Sequence, residues 1–234
     1  MRIDKFLSEC GVATRREAQA AAKRGMITVS GEVVKDTSRH INPECDEVVY
    51  NGKRIEYRRF TYIMLNKPEG YVSATEDSRL PVVTELLSPE LRRMELFPVG
   101  RLDRDTVGLM LLTNNGPLAH ALLSPRRHVE KVYYFKCAVP LIPSAEKRFL
   151  ECVTLGDGYE CKSAKLVADG DRLGGFITLT EGKYHQIKRM LAAIDNRVTF
   201  LERVSFGGVK LDGSLSRGEY RPLTCEEEAL LGAD

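Results

Sequence analysis

Gly100-Arg101-Leu102-Asp103-Arg104-Asp105-Thr106-Val107-Gly108-Leu109-Met110-Leu111-Leu112-Thr113-Asn114 sets two carboxylates and two arginines in a glycine-bounded segment that runs directly into an apolar stretch. Leu109 to Leu112 has the composition of a strand buried on both faces. The charged part before it reads as a surface loop on a rigid scaffold, the usual place for chemistry. Cations nearby favour the ionised form of a carboxylate. Residue types alone leave an Asp-rich turn with structural ion pairs as a full alternative.

Two functional patterns can be tested against this segment. A calcium loop would use Asp103 and Asp105 as its first and third positions. Val107 at the fifth and Asn114 at the twelfth, where a bidentate Glu is needed, exclude it. A phosphatase of the haloacid dehalogenase type would read Asp103 to Val107 as D-x-D-x-V. That chemistry wants a hydrophobic strand directly before the first Asp. Gly100-Arg101 interrupts here, and no later acidic pair takes a convincing magnesium position.

Outward from the loop, short strands and helices follow in irregular order. Strands are expected at Tyr62–Leu65, Leu109–Leu112, Tyr133–Val139, Ala164–Val167, Phe176–Leu179 and Val198–Val204. Helices are expected near Val82–Leu87, Pro117–Leu123, Ser144–Cys152, Gln186–Ile194 and Glu226–Leu231. This order predicts an α+β domain on a mixed, largely antiparallel sheet with flanking helices, not a doubly wound sheet. In the 186–194 helix, Ile187, Met190, Leu191 and Ile194 form the buried stripe, which rotates Lys188 and Arg189 off it. Tyr134 alternates with Tyr133 along its strand and is expected in the core.

The first sixty residues read as a separate module. Ile3, Phe6 and Leu7 have helical spacing. Thr14 with Glu17 three residues later makes a capping box for a helix that stops at Lys23-Arg24-Gly25. Ile27-Thr28-Val29, Ser30-Gly31 and Val33-Val34 follow, then Val48-Val49-Tyr50 before Asn51-Gly52, a strong hairpin signal. Lys53 to Phe60 reads as the linker. The expected division is 1–58 and 59–234.

Composition narrows the class. No apolar stretch of the 234 residues approaches the ~20 needed to span a bilayer. The charged start, Met1-Arg2-Ile3-Asp4-Lys5, is not followed by a signal-like apolar region, so the expected location is the cytoplasm. The six cysteines are scattered with no C-x-x-C pair, which predicts reduced structural thiols and no metal cluster. Net charge is only +2, but basic residues cluster as Arg15-Arg16, Lys23-Arg24, Lys53-Arg54, Arg58-Arg59, Arg126-Arg127 and Lys188-Arg189. Such pairs suit either a solvated surface or a surface that tracks phosphate.

The first module, through Arg2-Ile3-Asp4-Lys5-Phe6-Leu7, Thr14-Arg15-Arg16-Glu17-Ala18, Gly25 and Gly31-Glu32-Val33-Val34, resembles the small α-L RNA-binding motif of the S-four type over residues 1–48. The rest resembles the RsuA-type pseudouridine synthases. The residues that carry this are Gly100-Arg101-Leu102-Asp103, Asp105-Thr106 and Gly108-Leu109, with Leu65-Asn66-Lys67-Pro68-Glu69-Gly70 before them. Lys131-Val132-Tyr133, Glu181-Gly182-Lys183-Tyr184-His185-Gln186-Ile187-Lys188-Arg189-Met190 and Gly218-Glu219-Tyr220-Arg221-Pro222-Leu223-Thr224 follow in the family's order.

The resemblance implies isomerisation of a uridine in ribosomal RNA. Asp103 matches the family's essential Asp. Tyr133 matches the aromatic residue that packs on the target base, and Lys188 the cation that pairs with the Asp. Many relatives carry Arg at that last position, and Lys lacks its planar fork. Expected RNA contacts are Arg15, Arg16, Lys23 and Arg24 in the first module, and Arg101, Arg104, Lys183 and Arg189 in the second. Arg101 suits holding the loop equally well. His185 is expected to be structural, and Asp105 to order the loop. The reaction breaks N1–C1′ and rejoins the base through C5, so it needs no cofactor and no metal. The target uridine must be flipped into a pocket. Asp103 has two open roles, attack at C1′ or removal of the C2′ proton. The expected partner is small-subunit ribosomal RNA or an assembly intermediate, with the protein a monomer and no membrane involved. Two alternatives stand beside this: a large-subunit enzyme, and a non-catalytic RNA-binding protein of ribosome assembly.

Overall fold

A computed structural model describes residues 1–233 of the chain. Its contacts divide into two compact units. Met1–Thr61 and Leu87–Phe97 form the first. Tyr62–Leu86 and the residues from Pro98 onward form the second.

In the first unit, helices α1 (Ile3–Glu9) and α2 (Arg15–Lys23) precede strands β1 (Ile27–Val29), β2 (Glu32–Val33), β3 (Val48–Tyr50) and β4 (Lys53–Ile55). The sheet order is β2-β1-β3-β4. The capping box forms: Glu17 N donates to Thr14 Oγ1, and Thr14 N donates to Glu17 Oε2. Ile3, Phe6, Leu7, Ala18, Ala22 and Val48 are the center of the core. Asn51 and Gly52 both have positive φ, as the tight hairpin requires. The strand that completes this hairpin is β4, so the start of the stretch read as a linker is paired instead: Tyr50 meets Lys53 and Val48 meets Ile55. Its charged composition hid a two-sided edge strand. Helix α3 (Pro89–Arg93) belongs to this unit, and Arg93 lies 3.6 Å from Glu17.

The second unit is a mixed sheet. It contains β5 (Tyr62–Lys67), β7 (Val107–Thr113), β8 (Lys131–Cys137), β9 (Lys165–Ala168), β10 (Gly174–Leu179), β11 (Val198–Phe206) and β13 (Tyr220–Pro222) in the order β13-β5-β7-β11-β8-β10-β9. Short β6 (Phe97–Pro98) and β12 (Val209–Lys210) sit off this path. Helices α4 (Gly116–Leu123), α5 (Ala145–Leu150), α6 (Gln186–Ala192) and α7 (Cys225–Leu231) flank it. Among the named strands of the described residues only β7 and β11 pair in parallel, so the expected α+β class on a largely antiparallel sheet is what forms. The pattern at 82–87 closes as a single 3₁₀ turn, Val83–Leu86. Ile187, Met190, Leu191 and Ile194 are buried as the stripe predicts.

Tyr134 departs from expectation. It does alternate to the other face from Tyr133, but that face carries Phe176 and Phe200 in a half-exposed aromatic cluster, not the core. Period-two alternation says which side a residue takes, not whether that side is covered.

β7 is buried along its whole length and positions the charged loop before it. Gly108, at φ +97°, pairs with Arg203 of β11, which in turn pairs with Tyr133 of β8. Three strands therefore bring Tyr133 and Arg203 beside the 103–106 loop. A Cβ at Gly108 would meet the Arg203 carbonyl oxygen at 2.4 Å. Gly108→Ala is expected to destabilise the protein by about 3 kcal/mol, from overpacking plus a disfavoured φ. Urea unfolding measures this, and an unchanged midpoint would refute the close approach.

Candidate active site

The charged loop is held from below. Ser73 Oγ donates to Leu102 O at 2.9 Å and accepts from Leu102 N at 2.9 Å. Thr106 N closes a turn onto Asp103 O at 3.1 Å, and Gly70 N donates to Arg104 O at 2.9 Å. Lys67, at the end of β5, is fully buried. Its Nζ is within donating distance of four carbonyls: Thr106 at 2.8 Å, Pro68 at 3.1 Å, Asp103 at 3.2 Å and Arg104 at 3.3 Å. Burial pushes this ammonium down to about 8, while Asp105, Asp103 and Glu69 pull the other way.

The loop thereby presents Asp103 to a cavity of about 520 Å³ that Tyr133, Lys188, His185, Arg101 and Lys183 also line. That volume suits a nucleoside-sized ligand. Lys188, on α6, reaches Asp103 Oδ2 at 3.0 Å and Asp105 Oδ1 at 2.6 Å. His185 Nε2 lies 3.6 Å from the other Asp103 oxygen. His185 adopts φ +50° at the head of α6, and the exposed ring of Tyr184 stacks on it at 3.8 Å. Buried Glu181 ties the segment down: it accepts from Tyr159 Oη at 3.0 Å, Lys162 N at 3.0 Å and Gln186 Nε2 at 2.6 Å.

Lys188 sets the electrostatics. Burial pushes its ammonium down, but hydrogen bonds and charges from Asp105 and Asp103 outweigh that and hold it above its usual range. Burial likewise pushes the Asp105 carboxyl up, and the hydrogen bond and charge of Lys188 bring it below its usual range. Because the folded value lies below the unfolded 3.8, this carboxylate adds stability above that pH and loses it as pH falls through the folded value. In Lys188→Met the strongest lowering influences are removed, leaving a backbone hydrogen bond and His185 against burial, so Asp105 should titrate at a higher pH than in the wild type. Carbon-detected NMR of the carboxyl checks this, and identical titration in both proteins would refute the coupling.

A carboxylate held by one lysine, at the mouth of a nucleoside-sized cavity with an aromatic wall, can act on a sugar carbon or proton. The family model described as RNA pseudouridylate synthase matches residues 61–193. The chain belongs to the RNA pseudouridylate synthase family. It is an isomerase by that membership. The S4 domain model matches residues 1–48. The chain is similar to the "Uncharacterized RNA pseudouridine synthase YtzG" of Bacillus subtilis (strain 168), at 45% identity over 99% of this chain and 98% of that one. It is similar to "Ribosomal small subunit pseudouridine synthase A" of Yersinia pestis, at 41% identity over 100% and 99%. A solved structure titled "Crystal structure of pseudouridylate synthase" matches with a TM-score of 0.70 and 38% identity, covering 99% of each chain.

Within this family fold the expected site residues fall in four places. Asp103, Tyr133, Lys188, Arg101 and Lys183 share the cavity, with Lys183 Nζ 4.7 Å over the Tyr159 ring. Arg104 is exposed on the loop, and it is its carbonyl that Lys67 and Gly70 hold. Arg189 lies outside the cavity lining, paired with Asp157. Arg15, Arg16, Lys23 and Arg24 lie on the first unit, exposed and without a carboxylate partner among the described residues. Sequence reasoning gave Lys67 no role and discounted His185. A lysine closing an apolar strand just before Pro68 was the available signal for the first. The αL turn that aims His185 at Asp103 left none.

Proposed function

We propose that the chain converts a uridine of small-subunit ribosomal RNA to pseudouridine, with Asp103 as the reacting carboxylate. The observation that carries this is Asp103 held by Lys188 at the edge of the cavity that Tyr133 also lines. The named function of the Yersinia pestis relative supports the small-subunit target. Tyr133 packs on the flipped uracil and offsets part of the cost of unstacking it, a few kcal/mol. Asp103 either attacks C1′ as N1 leaves or takes the C2′ proton. In both routes the free uracil turns and C5 bonds to C1′: in the first C5 displaces the Asp103 oxygen from C1′, in the second it adds to C1′ as Asp103 returns the proton to C2′, and the C5 proton then leaves to a base, a role open to Asp103 itself. Lys188 pairs with the carboxylate and orients it until it reacts.

Residues 1–58 act in this reading as the RNA-docking module, and 59–234 as the catalytic domain. Arg15, Arg16, Lys23 and Arg24 contact phosphate on the first, and Arg101, Arg104, Lys183 and Arg189 on the second. The protein works in the cytoplasm as a monomer on ribosomal RNA or an assembly intermediate, with no cofactor.

The test is tritium release from C5-tritiated, unmodified ribosomal RNA. Release from small-subunit RNA or its assembly intermediate, and none from large-subunit RNA, is expected. Release only from large-subunit RNA would move the target, and none from any RNA would favour a binding protein without activity. Exchanging Arg15 and Arg16 together for Gln should weaken binding and lower the slope of log K against log salt by about 1–2. Filter binding across a salt series reads this, and an unchanged slope would remove those arginines from the interface.

A further inference from the structure

Two cations in the cavity have no role in the uridine chemistry above. Arg203 is 2% exposed, yet it lines the cavity. Its Nε donates to Leu109 O at 2.8 Å, one Nη lies 3.9 Å from Met110 Sδ, and its guanidinium sits 5.1 Å from the centre of the Phe206 ring. Lys131 also lines the cavity. Its Nζ donates to Val129 O at 2.7 Å and stands 5.3 Å from the same ring. Among the described residues, neither has a carboxylate at salt-bridge distance.

This differs from the other cations of the site. Lys67 has four carbonyls, and Lys188 has two carboxylates. A guanidinium carries five donors, and Arg203 places one on a carbonyl and one on a weak sulfur acceptor. Buried charges are normally paired, because their desolvation is otherwise uncompensated. Lys131 also feels the like charge of Arg203: burial first, then that charge, push its ammonium down to about 8. Two mutually repelling cations flank one aromatic ring, and the open space beside them is the cavity. An anion entering the cavity would supply the counter-charge that neither cation has within the described residues.

We propose that Arg203 and Lys131 form a phosphate subsite, which takes a backbone phosphate of the nucleotide whose uridine reaches Asp103. The inference rests on the uridine reading of this cavity and deepens it. A phosphate matches the guanidinium fork and the lysine point charge. Its arrival would neutralise the repulsion only when nucleotide is bound. The cavity thus binds the nucleotide by its phosphate and the base by its aromatic wall, and free nucleosides lack half of the contacts.

The experiment titrates the full-length protein, by NMR, with uridine, 5′-UMP, 3′-UMP, 5′-AMP and inorganic phosphate. One of the two uridylates is expected to bind at least about tenfold tighter than uridine. Inorganic phosphate should compete with it. Lys131→Met should remove most of that preference, and Lys131→Arg should keep it. Arg203→Met is a second variant, read only where its NMR spectrum remains that of a folded protein. Equal binding of uridine and both uridylates, or a preference untouched by Lys131→Met, overturns the subsite. Tritium release by the same preparations separates this from the underlying reading. Turnover without any phosphate preference sinks only the subsite. A phosphate preference shared equally by 5′-AMP, with no turnover on any RNA, sinks the uridine reading and leaves the phosphate subsite standing.

Discussion

Asp103→Asn is expected to lower tritium release by about 10⁴-fold or more, while RNA affinity changes less than about twofold. The amide has the shape of the carboxylate but neither attacks C1′ nor accepts a C2′ proton. The local fold should tolerate the change. Lys188 keeps Asp105 as its partner at 2.6 Å, so no buried charge is orphaned. The loop is held by its backbone, through Ser73 and Lys67, not by the Asp103 side chain. Single-turnover release and filter binding on the same preparation separate chemistry from docking. A variant that keeps more than a tenth of wild-type turnover would refute the proposed role. Parallel losses of binding and turnover would make Asp103 a structural residue.

Lys67→Met is expected to produce the largest change in stability. The methionine fills similar volume but leaves four carbonyls without their common donor; Asp103 O keeps Thr106 N and Arg104 O keeps Gly70 N, while Pro68 O and Thr106 O lose the donor that Nζ supplies. Unpaired buried acceptors cost roughly 1–3 kcal/mol each before relaxation and water entry. A net loss of about 3 kcal/mol is therefore expected. Turnover should also fall, by roughly 10²-fold, because Asp103 is no longer held at its working angle. The fall should appear in kcat with KM little changed, since Lys67 lies beneath the loop and does not line the cavity. Urea unfolding and steady-state tritium release check the two halves. A wild-type midpoint would show that the carbonyls find other donors. A changed KM with unchanged kcat would place Lys67 in RNA binding instead.

Much of this molecule was legible as sequence because local rules agree with the fold. The capping box at Thr14 and Glu17 and the Asn51-Gly52 hairpin depend on residues close in the chain. The stripe through Ile187, Met190 and Leu191 depends on helical period alone. β4 was missed because its Lys-Arg-Ile composition has no alternation to read, and only pairing with β3 makes it a strand.

The site divides along the same line. By itself the sequence determined that Asp103 sits in a charged loop before a buried strand, and that Lys188 turns away from the apolar face of its helix. Those facts follow from composition and periodicity. Only the tertiary structure decided that Lys67 anchors that loop, that His185 faces Asp103, and that Arg203 and Lys131 share a cavity with no carboxylate at salt-bridge distance among the described residues. Each of these joins residues dozens of positions apart: the antiparallel pairing of β5 with β7 brings Lys67 under the loop, α6 carries His185 to it, and the pairing of β11 with β7 and β8 sets Arg203 near Lys131. Which strands become neighbours is set by packing of the whole sheet, and no local pattern in the chain encodes it.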